Sequence, residues 1–304
     1  MLPSSPESVL FKLFFRFSRP FSKEASVTKA GIITITNSWE DYFVKPDEGL
    51  GTTYERFVLH HYFCWLKTQY DIHTVLEAPS FGMTGVSGIN SIWWASQGSK
   101  VTVVDQSSVR LESIQKVWRE TGLAADFFCQ SPASAILPYA DGSFDMAWNF
   151  AALWHVKDGK KYLTELARVT KKALFICVPN KQNVCWVLRP HNANDYELNN
   201  INTDWITSTL GQSGWRMVKT GFFDVPPWPD IAMKKENVLK MVGLGWLTKS
   251  KESSNGEGRC ILDYFKGQSP AMEKDIMKYG FLERSPKWLK KWWAHHRFLL
   301  FEKE

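Results

Sequence analysis

Between residues 72 and 180 short apolar segments alternate with segments that carry helix signals, and this alternation limits the chain to few folds. "HTVLEA" predicts a strand, "GINSIWWASQG" a helix ending at Gly98, and "KVTVVD" a second strand closed by Asp105. "SSVRLESIQKVWRETG" opens with a serine N-cap and closes on Gly122, which predicts a capped helix. "DFFCQ" and "SFDMAWNFA" supply two further strands, "GKKYLTELARVT" a helix and "KALFICVPN" a fifth strand. Strands separated by helices join in parallel βαβ units, hence an α/β, doubly wound sheet. Ligands of such sheets bind at the carboxyl ends of the strands.

Outside this block the signals are less regular. "YERFVLHHYFCWLKTQY" (54–70) has the wide apolar face of a core-packed helix. "TDWITSTLGQSGWRMVKTGFFDVPPW" predicts a helix, a turn and an edge strand that closes the same sheet. Residues 7–18 and the tail "SPKWLKKWWAHHRFLLF" both predict basic, aromatic amphipathic helices, and "GIITITNSWEDYF" a short strand leading to a loop. Three regions follow: an N-terminal helical extension (1–69), a sheet core with a lid segment near 181–200 (70–225), and a C-terminal extension packed on or beside the core (226–304).

Composition narrows the function. The net charge of +6 sits at the two ends, because residues 1–23 and 285–304 each carry about +3. That is too narrow a basic surface for a nucleic-acid binder, but it suits peripheral contact with an anionic membrane. The five cysteines form no CxxC pair, which argues against a disulfide framework or structural zinc site and for a reducing, cytoplasmic setting. No apolar run reaches the roughly 18–20 residues of a membrane span. The pair His295–His296 has no cysteine or acid at metal-binding spacing nearby in sequence, so no metal site is expected.

The stretch "VLEAPSFGMTGVSGIN" follows the first strand with a small-residue loop holding Gly82, Gly85 and Gly88. Such a loop lets a ligand approach backbone closely, and the helix behind it offers free N–H groups. Asp105, followed by Gln106, sits at the tip of the second strand, where an acid accepts both hydroxyls of a ribose. Glu77 closes the first strand. An acid there repels a pyrophosphate and suits a ligand carrying an ammonium and a sulfonium.

"ILPYADGSFDMAWNFAALWHV" (136–156) resembles the stretch around the fourth strand of class I S-adenosylmethionine-dependent methyltransferases of the type 11 kind, through Leu137–Pro138–Tyr139 and Asp141–Gly142–Ser143–Phe144–Asp145. "YLTELARVTKKALFICVPN" is similar to the family's next helix and strand. The resemblance implies a Rossmann-like seven-stranded sheet, S-adenosyl-L-methionine as cofactor and methyl transfer as the reaction. It implies that Glu77 lies near the methionine moiety, Asp105 on the ribose, and the Gly82–Gly88 loop along both. It also implies that the Asn149–Ala152 strand end lies near the methyl group. Ser131 stands where the family often has the acid that accepts the adenine amino group, and the glycine loop is longer than the family's.

Tyr54 and Arg56 are candidates to close over the cofactor from the N-terminal helix. His155 is the nearest candidate base, since histidine removes protons near neutral pH. His191, Asp195 and Tyr196, in the lid segment, are candidates to face the acceptor. That acceptor is a small molecule, a lipid or a protein side chain. The alternative is a catalytically inactive methyltransferase fold serving as a binding or scaffold protein.

Overall fold

The computed structural model describes residues 49–80, 88–131, 134–184, 186, 197–225 and 261–304, all within the unit Thr34–Glu304. The expected helix at 7–18 and the strand that follows it lie outside the described residues.

Seven strands form one sheet: β1 (Thr74–Glu77), β2 (Lys100–Asp105), β3 (Asp126–Cys129), β4 (Phe144–Phe150), β5 (Thr170–Pro179), β6 (Trp215–Phe223) and β7 (His296–Lys303). Their order is β3-β2-β1-β4-β5-β7-β6, parallel from β3 to β5, with β7 antiparallel to both neighbours. The described helices are α1 (Gly49–Tyr70), α2 (Ile92–Ser96), α3 (Ser108–Thr121), α4 (Gly159–Val169), α5 (Thr203–Gly211), α6 (Ile261–Phe265), α7 (Met272–Met277) and α8 (Lys287–Trp293).

β1, β2, β4, β5 and β7 are buried on both faces, and their alternation sorts side chains into two cores. Val75, Val103, Met146, Trp148, Phe175, Phe298 and Leu300 pack with α1, α2 and α3. Leu76, Val104, Ala147, Leu174, Ile176, Leu299 and Phe301 pack with α4 and α5. Each such side chain contributes about 1.5–3 kcal/mol when fully buried, so strand register is strongly set. The capping signals work as read: Ser107 Oγ accepts the Arg110 N–H at 3.3 Å, and Gly122 ends α3 at φ 70°. Asp158 caps α4 by accepting the Lys161 N–H. Asp145 anchors β4 to the start of β1, its Oδ2 accepting N–H bonds from His73 (2.8 Å) and Thr74 (2.9 Å).

The tail differs from its expected form. Its helix stops at Trp293, Ala294 is extended, and His296–Lys303 forms β7 between β5 and β6. Part of the segment expected as a C-terminal extension is thus a central strand of the core sheet. No described helix is long and apolar enough to cross a membrane.

Candidate active site

The carboxyl ends of β1, β2, β3 and β4 place the predicted residues side by side. Glu77, the last residue of β1, is 2 % exposed and receives hydrogen bonds from the Ser91 hydroxyl and the Gly88 N–H. Its Oε2 has no partner among the described residues. Burial pushes the carboxyl up to about 7, against the pull of those two hydrogen bonds and of the Arg56 charge. Arg56 comes from α1, is buried, and donates from Nη1 to Asn90 Oδ1 at 2.7 Å.

Asp105 ends β2 and is completely buried. It accepts the Ser80 hydroxyl (2.9 Å), the Ser107 N–H (2.7 Å) and the Arg110 guanidinium. Gly88 turns the chain into α2 at φ +71°, a conformation that favours glycine, and an added Cβ would meet Ile114 at 3.0 Å. Trp118 Nε1 donates to the Gly88 carbonyl.

Asn149, buried near the end of β4, donates from Nδ2 to the Ala78 carbonyl at 3.4 Å, and its Oδ1 lacks a partner among the described residues. Gln130, just past β3, donates from Nε2 to the Ile136 carbonyl, and its Oε1 likewise lacks one. Buried polar atoms are nearly always hydrogen-bonded, so three orphaned acceptors along one sheet edge mark a place for donors from elsewhere.

Beside them runs a cleft lined by Pro79, Gln106, Arg110, Ala152, His155 and Val156. Burial, helped by the Arg110 charge, lowers the His155 imidazole to about 4, so it is neutral across the physiological range. Ala151, between β4 and this cleft, holds a left-handed φ of 48°.

The fold therefore gathers Glu77, Gly88, Asp105, Gln106, Asn149 and His155 at one edge. Ser131 is exposed just beyond β3. Tyr54 donates its hydroxyl to Glu283 Oε1 at 3.0 Å, so it is engaged with the segment before α8. Gly82, Gly85, His191, Asp195 and Tyr196 lie outside the described residues. Sequence reasoning missed Ser80, Ser91, Arg110 and Gln130. The two serines flank the glycine loop and were open to suspicion as small polar residues, but nothing marked Arg110 or Gln130.

A family model described as a methyltransferase domain matches residues 82–177. Residues 82–177 carry that domain. The methyl donor of that family is S-adenosylmethionine, and the seven-stranded sheet is the one expected of it. The chain is similar to a solved structure from Galdieria sulphuraria described as a "putative sarcosine dimethylglycine methyltransferase", at 16 % identity, 88 % of this chain, 98 % of the other and a TM-score of 0.51. It is also similar to magnesium protoporphyrin IX methyltransferase from Synechocystis PCC 6803 with bound SAH, at 14 % identity, 90 % and 95 % coverage and a TM-score of 0.49. The first of these likenesses is one of fold. No curated protein sequence matches this chain significantly.

Proposed function

We propose that this methyltransferase moves a methyl group from S-adenosylmethionine to a small-molecule, lipid or protein side-chain acceptor at the carboxyl edge of β1 and β4. The observation that carries the reading is the set of orphaned acceptors, Glu77 Oε2, Gln130 Oε1 and Asn149 Oδ1. A ligand with an ammonium at one end and an exocyclic amino group at the other satisfies such a set.

Glu77 takes the ammonium of the methionine moiety, and Arg56, held by Asn90, takes its carboxylate. Gly88, with Gly82 and Gly85, lets the backbone approach that moiety. Asp105 takes the ribose hydroxyls once Arg110 withdraws. Gln106 and His155 flank the adenosine, and Gln130, next to Ser131, accepts from the adenine amino group in place of the family's acid. When bound, the sulfonium supplies an activated methyl group. The chain's own task is then in-line positioning and exclusion of water beside Asn149–Ala152. His155, neutral at the pH of the reaction, serves as a wall of the adenosine cleft, and His191 and Tyr196 of the lid segment are the candidates to accept a proton. Tyr54 acts from further off, through Glu283.

Trp288 and Phe281 are more than half exposed and Trp292 half exposed, beside Lys287 and Lys291. This surface supports peripheral contact of a cytoplasmic protein with an anionic membrane. Parallel calorimetric titration with S-adenosylmethionine, S-adenosylhomocysteine and NAD tests the reading. Micromolar binding of the first two alone upholds it, binding of none favours a scaffold role, and binding of NAD sinks the assignment.

A further inference from the structure

A second buried cluster lies at the same carboxyl edge, where β6 ends and β7 begins. Asp224 follows β6, His296 opens β7, and Glu55 reaches them from α1. His296 Nδ1 is 3.5 Å from Asp224 Oδ2 and 3.7 Å from Glu55 Oε2, and each of the three side chains is at most 1 % exposed. Both ring nitrogens of His296 and Oδ1 of Asp224 lack a hydrogen-bond partner among the described residues. An imidazole set 3.5 and 3.7 Å from two carboxylates, its ring nitrogens without a close hydrogen bond among the described residues, leaves room for an ion between them.

The spacing says what. A tetrahedral ion held at about 2.1 Å by nitrogen and oxygen donors keeps those donors about 3.4 Å apart. The observed 3.5 and 3.7 Å need only a few tenths of an ångström of contraction. Charge agrees, because a divalent cation suits two buried carboxylates set beside one imidazole. The donor set selects among cations: carboxylates suit magnesium, calcium or manganese, and the added imidazole turns the set towards a transition ion such as zinc, iron or manganese. The surroundings hold the ligands still. His295 Nδ1 lies 2.8 Å from Asp224 Oδ2, the outer partner a ligating carboxylate usually has. Asp224 sits at a left-handed φ of 61°, and its carbonyl accepts the His295 N–H. The rings of Phe150 and Phe223 pack against His296 at 4.4 and 5.7 Å and help keep the spot dry.

We propose that Glu55, Asp224 and His296 bind one divalent transition-metal ion. Sequence spacing offered His295–His296 no acid, and the fold supplies two from residues 72 and 241 positions away. The proposal stands independently of the methyl-transfer reading.

The test uses the full chain, stripped with chelator and titrated with zinc and then manganese, with calorimetry and thermal unfolding as readouts. The expected result is one ion per chain and a rise in Tm on binding. Glu55→Gln, Asp224→Asn and His296→Gln should each weaken binding by about a hundredfold or more. Cobalt(II) added to the wild-type protein should develop the visible absorption of a tetrahedral nitrogen–oxygen site, which reports on the site even if a variant fails to fold. Wild-type protein that takes up neither metal, or a folded His296→Gln variant that binds as tightly as wild type, overturns the proposal.

Discussion

The guanidinium of Arg110 lies across the carboxylate of Asp105, with Nη2 2.6 Å from Oδ1 and Nε 3.0 and 3.2 Å from the two oxygens. With Ser80 and Ser107 also donating, that carboxylate has little acceptor capacity left. A ribose seated there competes with Arg110 before it gains anything. Arg110→Met should therefore bind S-adenosylhomocysteine more tightly, by about tenfold, which corresponds to roughly 1.4 kcal/mol. The ligand-free variant should melt earlier, because a buried carboxylate loses its counter-ion. Calorimetry and thermal unfolding with and without ligand separate the two effects. Weaker binding by the variant would mean that Arg110 itself holds the cofactor.

Glu77 links stability to function through pH. Its folded value, about 7, lies above the ordinary 4.5, so its contribution to stability is full below 4.5 and is lost as pH rises through 7. By pH 8 the charged carboxylate opposes folding by roughly 3 kcal/mol. Glu77→Gln should raise the Tm at pH 8, flatten its dependence between pH 5 and 8, and weaken cofactor binding by about ten- to a hundredfold. Wild-type affinity for S-adenosylmethionine should climb with pH through 7 as the carboxylate becomes available to the ammonium. A flat wild-type affinity profile across that range would remove Glu77 from the site.

Asp145 shows the opposite sign. Burial alone would raise its carboxyl, but N–H bonds from His73 and Thr74 and ion pairs with Lys171 and Lys172 outweigh it and hold the group well below the usual carboxylate range. Its stabilisation is therefore present above pH 4 and fades as pH falls below that. Asp145→Asn should cost about 2–3 kcal/mol at pH 7 in denaturant unfolding, with the gap to wild type narrowing towards pH 2. An equal gap at both pH values would contradict the ion-pair account.

His155 offers a split between binding and chemistry. With its imidazole lowered to about 4, it adds no inflection to the rate profile between pH 6 and 7. As a wall of the adenosine cleft, His155→Asn should raise KM for S-adenosylmethionine several-fold and leave kcat nearly unchanged. A fall in kcat of about 10²–10⁴ with KM unchanged would make it the base instead.

Local signals in the sequence were enough for the parallel half of the sheet. The β-branched and aromatic runs of β1, β2, β4 and β5, the Ser107 cap and the Gly122 stop each depend on neighbours a few residues away. β7 was misjudged because "HRFLLF" is apolar on both faces, so its periodicity does not separate a buried strand from the helix that precedes it. The strand is settled by hydrogen bonding to β5 and β6, which local pattern does not contain. Glu77 and Asp105 lie at strand ends as expected, because strand ends are visible in sequence. The Arg110 pairing, the orphaned Gln130 oxygen and the meeting of Glu55 with Asp224 and His296 depend on side-chain placement across the fold.

The place of β7 also sets an order of events at the ribosome. β6 pairs with β7 alone among the described strands, and about 70 residues separate the two in the chain. At the usual 5–20 residues per second, roughly 4–14 seconds separate the synthesis of β6 from that of its partner. Through that interval β5 and β6 both present unpaired edges, the kind of surface that invites pairing between neighbouring nascent chains. A chaperone that shields strand edges would matter most in that window, and slow codons between residues 224 and 295 would lengthen it.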